Sequence, residues 1–201
     1  MQTFATSSPH VAAIVVAAGL SRRMGAFKLT LPWAGKTVIE QVVLTLTMAS
    51  LHEIIVVTGH RGNEVEKALA KTPARCVSNP QYESGEMLSS IQAGLAAVAP
   101  GVDAALICLG DQPQMEMSTV LALLTEAERT GWRRVIIPSY DMRAGHPIVL
   151  PRSLWMQIIN TSKTLRDVLR SNADVVNYLT VDTPSILADL DTPDAYQRAK
   201  P

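Results

Sequence analysis

The chain has 201 residues, of which 47% are apolar, and its 18 lysines and arginines balance 18 aspartates and glutamates to a net charge of zero. Zero net charge argues against proteins that coat nucleic acids or bind membrane surfaces, because such proteins carry a basic excess. A chain of this length can bury a substantial core without disulfides, and we predict one domain over residues 1–201.

Short apolar runs alternate with segments of helical periodicity along the chain. In the first half the pattern predicts, in order, a strand over Val11–Ala18, the loop Gly19–Lys28, a helix from Thr37, a strand over Ile54–Thr58, a helix near Asn63–Lys71, a strand over Arg75–Ser78, a helix over Ser89–Val98 and a strand over Ala104–Leu109. In the second half it predicts a helix over Ser118–Arg129 capped by Ser118, strands over Val135–Pro138 and Pro147–Leu150 around the loop Ser139–His146, helices near Ser153–Ile159 and Thr164–Arg170, a strand over Val175–Val181 and a last helix capped by Thr192.

This order of elements predicts an α/β fold with a single doubly wound, mostly parallel sheet and helices on both faces. In sheets of this kind, ligands bind beyond the carboxyl ends of the strands. The residues that directly follow each predicted strand are therefore the first candidates for a functional site.

Cellular location and redox state follow from the N-terminus and the cysteines. Met1–His10 lacks the basic residues of a signal peptide, and the apolar stretch Val11–Ala18 is too short to span a membrane. Cys76 and Cys108 stand too far apart for a metal-ligand motif, and Cys108 lies in an apolar run that is typical of a buried strand. We therefore expect reduced thiols and a cytoplasmic protein without a membrane or nucleic-acid partner.

The loop after the first predicted strand contains small residues and three cations, Arg22, Arg23 and Lys28. Its glycine spacing matches neither a P-loop nor the dinucleotide-binding fingerprint of dehydrogenases. Small residues let backbone N–H groups approach a ligand, and the cations can neutralise a triphosphate. Because the loop directly follows a buried strand, we favour phosphate binding over a solvated, charged turn.

Carboxylates occur at two further places where a strand or an extended segment ends. Asp111 follows the apolar strand Ala104–Leu109 and is placed to hold Mg²⁺, although a simple turn aspartate is the alternative. Asp189 and Asp191 alternate on one side of an extended segment. Because Thr192 and its neighbours suffice to cap the last helix, Asp191 is available as a second metal ligand, and Asp189 is the alternative.

The loop Ala17–Lys28, which reads Ala-Ala-Gly-Leu-Ser-Arg-Arg-Met-Gly-Ala-Phe-Lys, resembles the signature of nucleotidyltransferases with the molybdopterin-nucleotide-transferase fold. Within them the chain is most similar to the molybdenum cofactor cytidylyltransferases. Further matching motifs run along nearly the whole chain: Leu31–Trp33, Val57–Glu64, Asn79-Pro80, Ser89–Ile91, Leu109–Pro113, Gly145–Pro147 and Asp189–Pro193.

The resemblance implies a Rossmann-like nucleotidyltransferase that joins CMP from CTP to the terminal phosphate of Mo-molybdopterin and releases pyrophosphate. It implies nucleotide binding by Ala17, Ala18, Gly19, Ser21, Arg23, Lys28 and Ser90. It implies catalytic roles for Lys28, Arg23 and Asp111, Mg²⁺ binding by Asp111 and Asp191, and contacts to the pterin by Gly145, His146 and Pro147. A molybdoenzyme or its maturation chaperone would then be the protein partner.

Ala18 bears on the choice of nucleotide. Relatives that use GTP tend to carry glycine at this position, and the extra methyl narrows the floor of the site toward the smaller cytosine. Two other segments depart from the pattern of the family. Ser162–Arg166 keeps only the arginine of a Gly-Asp-x-Gly-Ala-Arg motif, and Gly85 stands one residue further from Ser90 than usual.

Three alternatives to a cytidylyltransferase stay open. The first is a guanylyltransferase or a sugar-phosphate nucleotidyltransferase of the same fold. The second is an NAD(P)-binding oxidoreductase, which is weakened because Thr58-Gly59 stands where an acidic ribose ligand is expected. The third is a protein that binds and delivers the molybdenum cofactor without turnover.

Overall fold

A computed structural model describes residues 10–84 and 86–201. Its strands are β1 (Val11–Ala17), β2 (Pro32–Trp33), β3 (Lys36–Thr37), β4 (Glu53–Thr58), β5 (Arg75–Ser78), β6 (Ala104–Leu109), β7 (Val135–Tyr140), β8 (Arg143–Ala144), β9 (Ile148–Pro151) and β10 (Val176–Thr180). Its helices are α1 (Val38–Met48), α2 (Gly62–Leu69), α3 (Met87–Ala97), α4 (Met117–Arg129), α5 (Trp155–Ile159), α6 (Leu165–Ser171) and α7 (Pro193–Ala199). The predicted order of strands and helices is confirmed.

The main sheet has the strand order β10-β7-β9-β6-β1-β4-β5, and β8 pairs with the end of β7. Strand β1 is parallel to both of its neighbours, β4 and β6, whereas β9 runs antiparallel between β6 and β7. The chain proceeds from β1 to β4 and β5 and then returns to the other side of β1 as β6. The carboxyl ends of β1 and β6 therefore border the crevice in which such sheets bind ligands.

Helices cover both faces of the sheet, as predicted. Helices α1, α2 and α4 contribute to one apolar layer, and α3, α5 and α6 contribute to the other. Strand β1 serves both layers because successive side chains alternate: Ala13 and Val15 belong to the first, and Ala12 and Ile14 to the second. Burial on both faces explains why β1 is an uninterrupted apolar run.

A third apolar cluster ties the C-terminal helix to the loop after β1. It contains Met24, Trp33, Val38, Leu190 and Tyr196. The Tyr196 hydroxyl donates a hydrogen bond of 2.5 Å to the carbonyl of Pro32. This packing holds the extended segment before α7 beside the loop and against the end of β6.

The structure corrects two local predictions. Ser118 is not the N-cap of α4: the helix begins at Met117, its N-cap is Glu116, and the Ser118 hydroxyl donates to the Glu116 carboxylate. The segment 139–146 is not a plain loop, because β7 and β8 form a hairpin there. Asp141 and Met142 adopt left-handed backbone angles, which suit the two-residue turn of a twisted hairpin.

Some predictions concern residues outside the described ranges. The observations on the N-terminal segment fall on residues 1–9, and the unusual spacing to Ser90 falls on Gly85. Across residues 10–84 and 86–201, every helix is too short or too polar to cross a membrane.

Helix α3 packs so closely on the sheet that Gly94 leaves no room for a side chain. A Cβ at this position would lie 2.4 Å from Cγ2 of Ile14 in β1. We expect Gly94→Ala to lower the free energy of unfolding by about 1–3 kcal/mol, as overpacking does. Urea denaturation measures this change. Gly19→Ala is the control, because a Cβ on Gly19 meets no atom within 4 Å; equal stability of the two variants would contradict this packing.

Candidate active site

The crevice beyond β1 and β6 is a cavity of about 330 Å³, which we call the nucleotide cavity. Its lining includes predicted residues from four separate parts of the chain: Ala17, Ala18, Gly19, Lys28, Ser90, Asp111 and Asp191. The rest of the lining includes Tyr82, Glu86 and Met87, for which the sequence indicated no role, and Asp189, the alternative to Asp191 as a metal ligand. The fold thus brings most of the predicted nucleotide and metal residues to one place.

A second cavity of about 320 Å³ adjoins the first along the loop after β1. Ser21, Arg22 and Arg23 line it, and Gly19, Lys28 and Asp191 line both cavities. Ser21 has a left-handed backbone (φ 51°), and its hydroxyl accepts a hydrogen bond from the backbone N–H of Lys28 at 3.3 Å. Ser21 therefore shapes the loop that carries Arg22, Arg23 and Lys28.

The predicted cations and carboxylates form one cluster of ion pairs. The Lys28 ammonium contacts the Asp111 carboxylate and lies 3.3 Å from the Asp191 carboxylate, to which Arg23 also donates at 2.6 Å. The Lys28 and Asp111 side chains are 14% and 15% exposed, whereas Arg23 is 71% exposed. Lys28 and Asp111 are thus shielded from water, which strengthens their mutual attraction, and Arg23 reaches in from the surface.

A third carboxylate, Asp189, is held at the edge of this cluster. Gln112 is buried, and its side-chain amide donates to the Asp189 carboxylate at 2.7 Å. The backbone N–H of Leu190 donates to the carbonyl of Asp111 at 3.2 Å, so the two acidic segments lie side by side. Partial desolvation and the negative charge of Asp111 raise the pKa of Asp189 above its usual range.

Within the described part of the chain, no group of three or more histidine, cysteine, aspartate or glutamate side chains is arranged to hold a metal ion. Two carboxylates, Asp111 and Asp191, nevertheless converge on a single cation, the ammonium of Lys28. Mg²⁺ is commonly bound by one or two carboxylates together with phosphate oxygens of the substrate. The residues present fit such a metal only in combination with a phosphate ligand.

Ser90 owes its position to a residue for which the sequence indicated no role. Asn79 is buried after β5, and its side-chain amide donates to the hydroxyls of Ser89 and Ser90 at 2.8 and 3.0 Å. Its carbonyl oxygen accepts from the backbone N–H of Gln81 at 2.9 Å. The sequence marked Asn79 by an Asn-Pro pair directly after a strand, which is also one of the matching motifs, but neither feature indicated a contact with Ser90.

A further cavity of about 540 Å³ lies beside the nucleotide cavity, and we call it the acceptor cavity. Gly145 and His146 line it, whereas Pro147 is buried and is not among its lining residues. Burial lowers the pKa of His146 to about 4, although the charge of Asp111 opposes this change. His146 is therefore neutral at pH 7, and its imidazole adds no positive charge to the site.

Comparison with known proteins places this geometry in a family. The family model described as "MobA-like NTP transferase domain" matches residues 13–185. The chain is 30% identical over 191 residues to the molybdenum cofactor cytidylyltransferase of Escherichia coli (strain K12), a match that covers 93% of this chain and 94% of the relative. It is 31% identical over 198 residues to nicotine blue oxidoreductase of Paenarthrobacter nicotinovorans, covering 93% and 95%.

Solved structures agree with the observed fold. The crystal structure of Rv0371c from Mycobacterium tuberculosis H37Rv has a TM-score of 0.80 and 26% identity, covering 96% of this chain and 98% of that one. A complex of the same protein with manganese has a TM-score of 0.73 and 25% identity, covering 94% and 97%. The Rossmann-like fold and the resemblance carried by the loop after β1 are both confirmed. The chain belongs to the MobA-like NTP transferase family and is a nucleotidyltransferase by fold and by family.

Proposed function

We propose that the protein transfers CMP from CTP to the terminal phosphate of Mo-molybdopterin. An oxygen of the acceptor phosphate forms a bond to the α-phosphorus of CTP, the bond from that phosphorus to the bridging oxygen breaks, and pyrophosphate leaves. The observation that carries the proposal is the cluster of Lys28, Asp111 and Asp191 between the nucleotide cavity and the loop cations. The cytidylyltransferase from Escherichia coli, similar over nearly its whole length, supports the choice of substrates.

The roles of the residues follow from charge. The acceptor phosphate is already anionic, so the reaction needs no protein nucleophile and no strong general base. Lys28 and Arg23 would bind the triphosphate and stabilise the charge that develops on the leaving pyrophosphate. Ala17, Ala18, Gly19 and Ser90 would surround the base and ribose. Binding of the triphosphate would draw the two cations away from Asp111 and Asp191, which become available for a metal.

We assign Asp111 and Asp191 as the residues that would hold Mg²⁺. Their carboxylate oxygens are hard ligand atoms, which Mg²⁺ prefers, and both carboxylates already face a cation, the ammonium of Lys28. When bound, Mg²⁺ neutralises charge on the triphosphate and polarises the phosphate under attack. The manganese complex of the mycobacterial relative supports a divalent ion in this fold.

Product identification tests the proposal. The protein is incubated with Mo-molybdopterin, Mg²⁺ and each nucleoside triphosphate in turn, and the dinucleotide is identified by mass spectrometry while pyrophosphate release is followed. We expect molybdopterin cytosine dinucleotide with CTP, and loss of product when the divalent ion is removed with EDTA. Binding of the pterin without pyrophosphate release would instead identify a delivery protein, and a product formed only with a sugar phosphate would identify another transferase of this fold.

Ala18 predicts the choice between CTP and GTP. It is 4% exposed on the lining of the nucleotide cavity, and its methyl lies so close to Gly59 that a Cβ there would approach it to 2.8 Å. The methyl cannot move aside, so we expect CTP to be preferred over GTP. Ala18→Gly should reduce the ratio of kcat/KM for CTP to kcat/KM for GTP by about tenfold, which is the effect of one methyl group in a binding pocket.

The ratio is measured with a single preparation of the pterin. Ala99→Gly removes the same methyl from a residue that lines neither the nucleotide cavity nor the acceptor cavity, and it serves as the matched control. A wild-type ratio that favours GTP would place the protein in the guanylyl branch of the family. An unchanged ratio in Ala18→Gly would show that other residues choose the base.

One observation favours a second candidate, an oxidoreductase. The relative from Paenarthrobacter nicotinovorans bears that name and is as similar to this chain as the cytidylyltransferase. The cation–carboxylate cluster favours transfer, because hydride transfer requires no pair of carboxylates at the phosphates. Fluorescence titration with NADH and NADPH, compared with Mg·CTP, separates the two: tight binding of a reduced nicotinamide together with no pyrophosphate release would favour the oxidoreductase.

We also propose a cytoplasmic location, a single domain and a protein partner that receives the product. Cys76 and Cys108 are both free thiols, which supports a reducing, cytoplasmic location. The continuous sheet supports one domain over residues 1–201. A molybdoenzyme, or the chaperone that matures it, would receive the dinucleotide.

A further inference from the structure

Asn79 lies directly after β5 and forms three side-chain hydrogen bonds from a buried position. It is 2% exposed and is not among the described residues that line the nucleotide cavity. Its amide nitrogen contacts the hydroxyls of Ser89 and Ser90, and its carbonyl oxygen contacts the backbone N–H of Gln81. Asn79 therefore acts on the nucleotide cavity through its partners and not by direct contact.

The contact with Gln81 fixes the direction of the other two hydrogen bonds. A backbone N–H only donates, so the atom of Asn79 that faces it at 2.9 Å is the carbonyl oxygen. The amide nitrogen then faces the two serines, and because an NH₂ group only donates, both hydroxyl oxygens accept. Ser89 donates its own proton to the carbonyl of Glu86 at 3.0 Å.

The Ser90 hydroxyl keeps a proton that cannot point at Asn79. Across residues 10–84 and 86–201 this hydroxyl donates to no other group of the protein. Ser90 is 3% exposed, on the lining of the nucleotide cavity. A buried hydroxyl proton without an acceptor costs free energy, which an acceptor on a molecule in the cavity recovers. Ser90 is thus prepared to donate to a ligand.

The polarity of this hydroxyl distinguishes one base from another. Ser90 does not line the adjoining cavity that holds Arg22 and Arg23, so it lies away from the cations of the loop. The Watson–Crick edge of cytosine presents two acceptors, O2 and N3, whereas that of guanine presents N–H donors at N1 and N2 beside one acceptor, O6. A donor fixed at this place fits the edge of cytosine.

We propose that Asn79 is a positioning residue for the choice of base: by donating to Ser90, it holds that hydroxyl as a donor toward the nucleotide and favours cytosine over guanine. The inference rests on the proposed function, in which Ser90 borders the base. It adds the direction of a hydrogen bond to the steric effect of Ala18. Asn79 itself takes no part in the transfer step.

Asn79→Asp reverses this direction with almost no change of shape. A carboxylate only accepts, so the Ser90 hydroxyl would turn its proton toward the new carboxylate and its lone pairs toward the cavity. We expect the ratio of the Kd for Mg·GTP to the Kd for Mg·CTP to fall at least about tenfold, because two acceptors then face each other when CTP binds. Isothermal titration calorimetry without the pterin measures both constants.

Two serine variants of α3 separate selection of the base from a purely structural role. Ser90→Ala removes the donor and should weaken Mg·CTP binding about tenfold, with a smaller effect on Mg·GTP. Ser89→Ala is the matched control: it removes the other partner of the same amide, lies outside the lining of the nucleotide cavity and should leave the ratio unchanged. In a Ser90→Ala background Asn79→Asp should have little further effect on the ratio, because it acts through that hydroxyl.

Three results would overturn the inference: an Asn79→Asp protein that is folded by circular dichroism and keeps the wild-type ratio, additive effects of Asn79→Asp and Ser90→Ala on that ratio, or tighter binding of GTP than of CTP by wild type. If Asn79→Asp does not fold, equal weakening of the two nucleotides by Ser90→Ala overturns it. A wild-type protein that prefers CTP, with the expected variant ratios, but forms no dinucleotide would contradict the proposed function and support the inference.

Discussion

Lys28→Ala is expected to reduce turnover with CTP at least about a hundredfold, the effect of removing one preorganised donor to a transition state. Lys28 lines both the nucleotide cavity and the adjoining cavity along the loop after β1, and its side chain is only 14% exposed, so water would replace its ammonium poorly. Turnover is measured by pyrophosphate release at saturating acceptor.

Lys28→Arg should be intermediate, because it keeps the charge but changes the geometry of the donor. Lys36→Ala removes an exposed lysine that does not line the nucleotide cavity and should leave turnover unchanged. Near-normal turnover in a folded Lys28→Ala protein would remove Lys28 from the proposed mechanism.

Lys28→Ala, which is expected to lower turnover, is expected to strengthen the binding of a divalent metal ion. In the free protein Lys28 neutralises Asp111 and Asp191, so its ammonium competes with a divalent ion for the same carboxylates. Lys28→Ala should therefore tighten the binding of Mn²⁺ alone, measured by electron paramagnetic resonance without nucleotide. Weaker Mn²⁺ binding in this variant would contradict the assignment of the two carboxylates.

Asp111→Asn and Asp191→Asn are expected to reduce turnover by about a hundredfold and about tenfold, respectively. Asp111 follows a central strand and its side chain is 15% exposed, whereas Asp191 is 35% exposed and lies on an extended segment. A well-anchored ligand is harder for water to replace. Both variants should fold normally, because neither carboxylate supports the apolar core.

If both carboxylates hold one metal ion, the losses of turnover caused by Asp111→Asn and Asp191→Asn should not be additive in the double variant. The measurement is a double-mutant cycle with Mg²⁺ titrated in each variant, and Asp194→Asn, an exposed acid in the first turn of α7, is the control. Additive losses, or an Asp191→Asn enzyme with the Mg²⁺ dependence of wild type, would exclude Asp191. Asp189, which Gln112 holds beside the cluster, would then be the next candidate.

Local features of the sequence predicted much of the site. The apolar run of β1 and the periodicity of α1 are properties of neighbouring residues, and they predicted strands and helices to within a few positions. Parallel topology then places residues that follow different strands at one edge of the sheet. This is why Gly19 and Asp111 could be assigned to one cavity without a structure.

Local signals in the sequence are less informative where two of them compete or where the partner of a residue is distant in the chain. Ser118 has the chemistry of an N-cap, but α4 begins one residue earlier, and Glu116 takes that place. Asn79 and Gln112 carry no local signal of the side chains that they hold in place. Each contact depends on a partner in another part of the chain.

The sequence by itself determined the α/β fold, the cationic loop after β1 and the carboxylate after β6, because the order of strands, loops and helices along the chain suffices for all three. Only the tertiary structure decided that Lys28 contacts both Asp111 and Asp191. Residues 28 and 191 are brought together by the packing of Met24 with Leu190 and Tyr196. Side-chain packing between distant segments has no period or spacing in the sequence, so the charge cluster and the acceptor cavity become visible only in the folded chain.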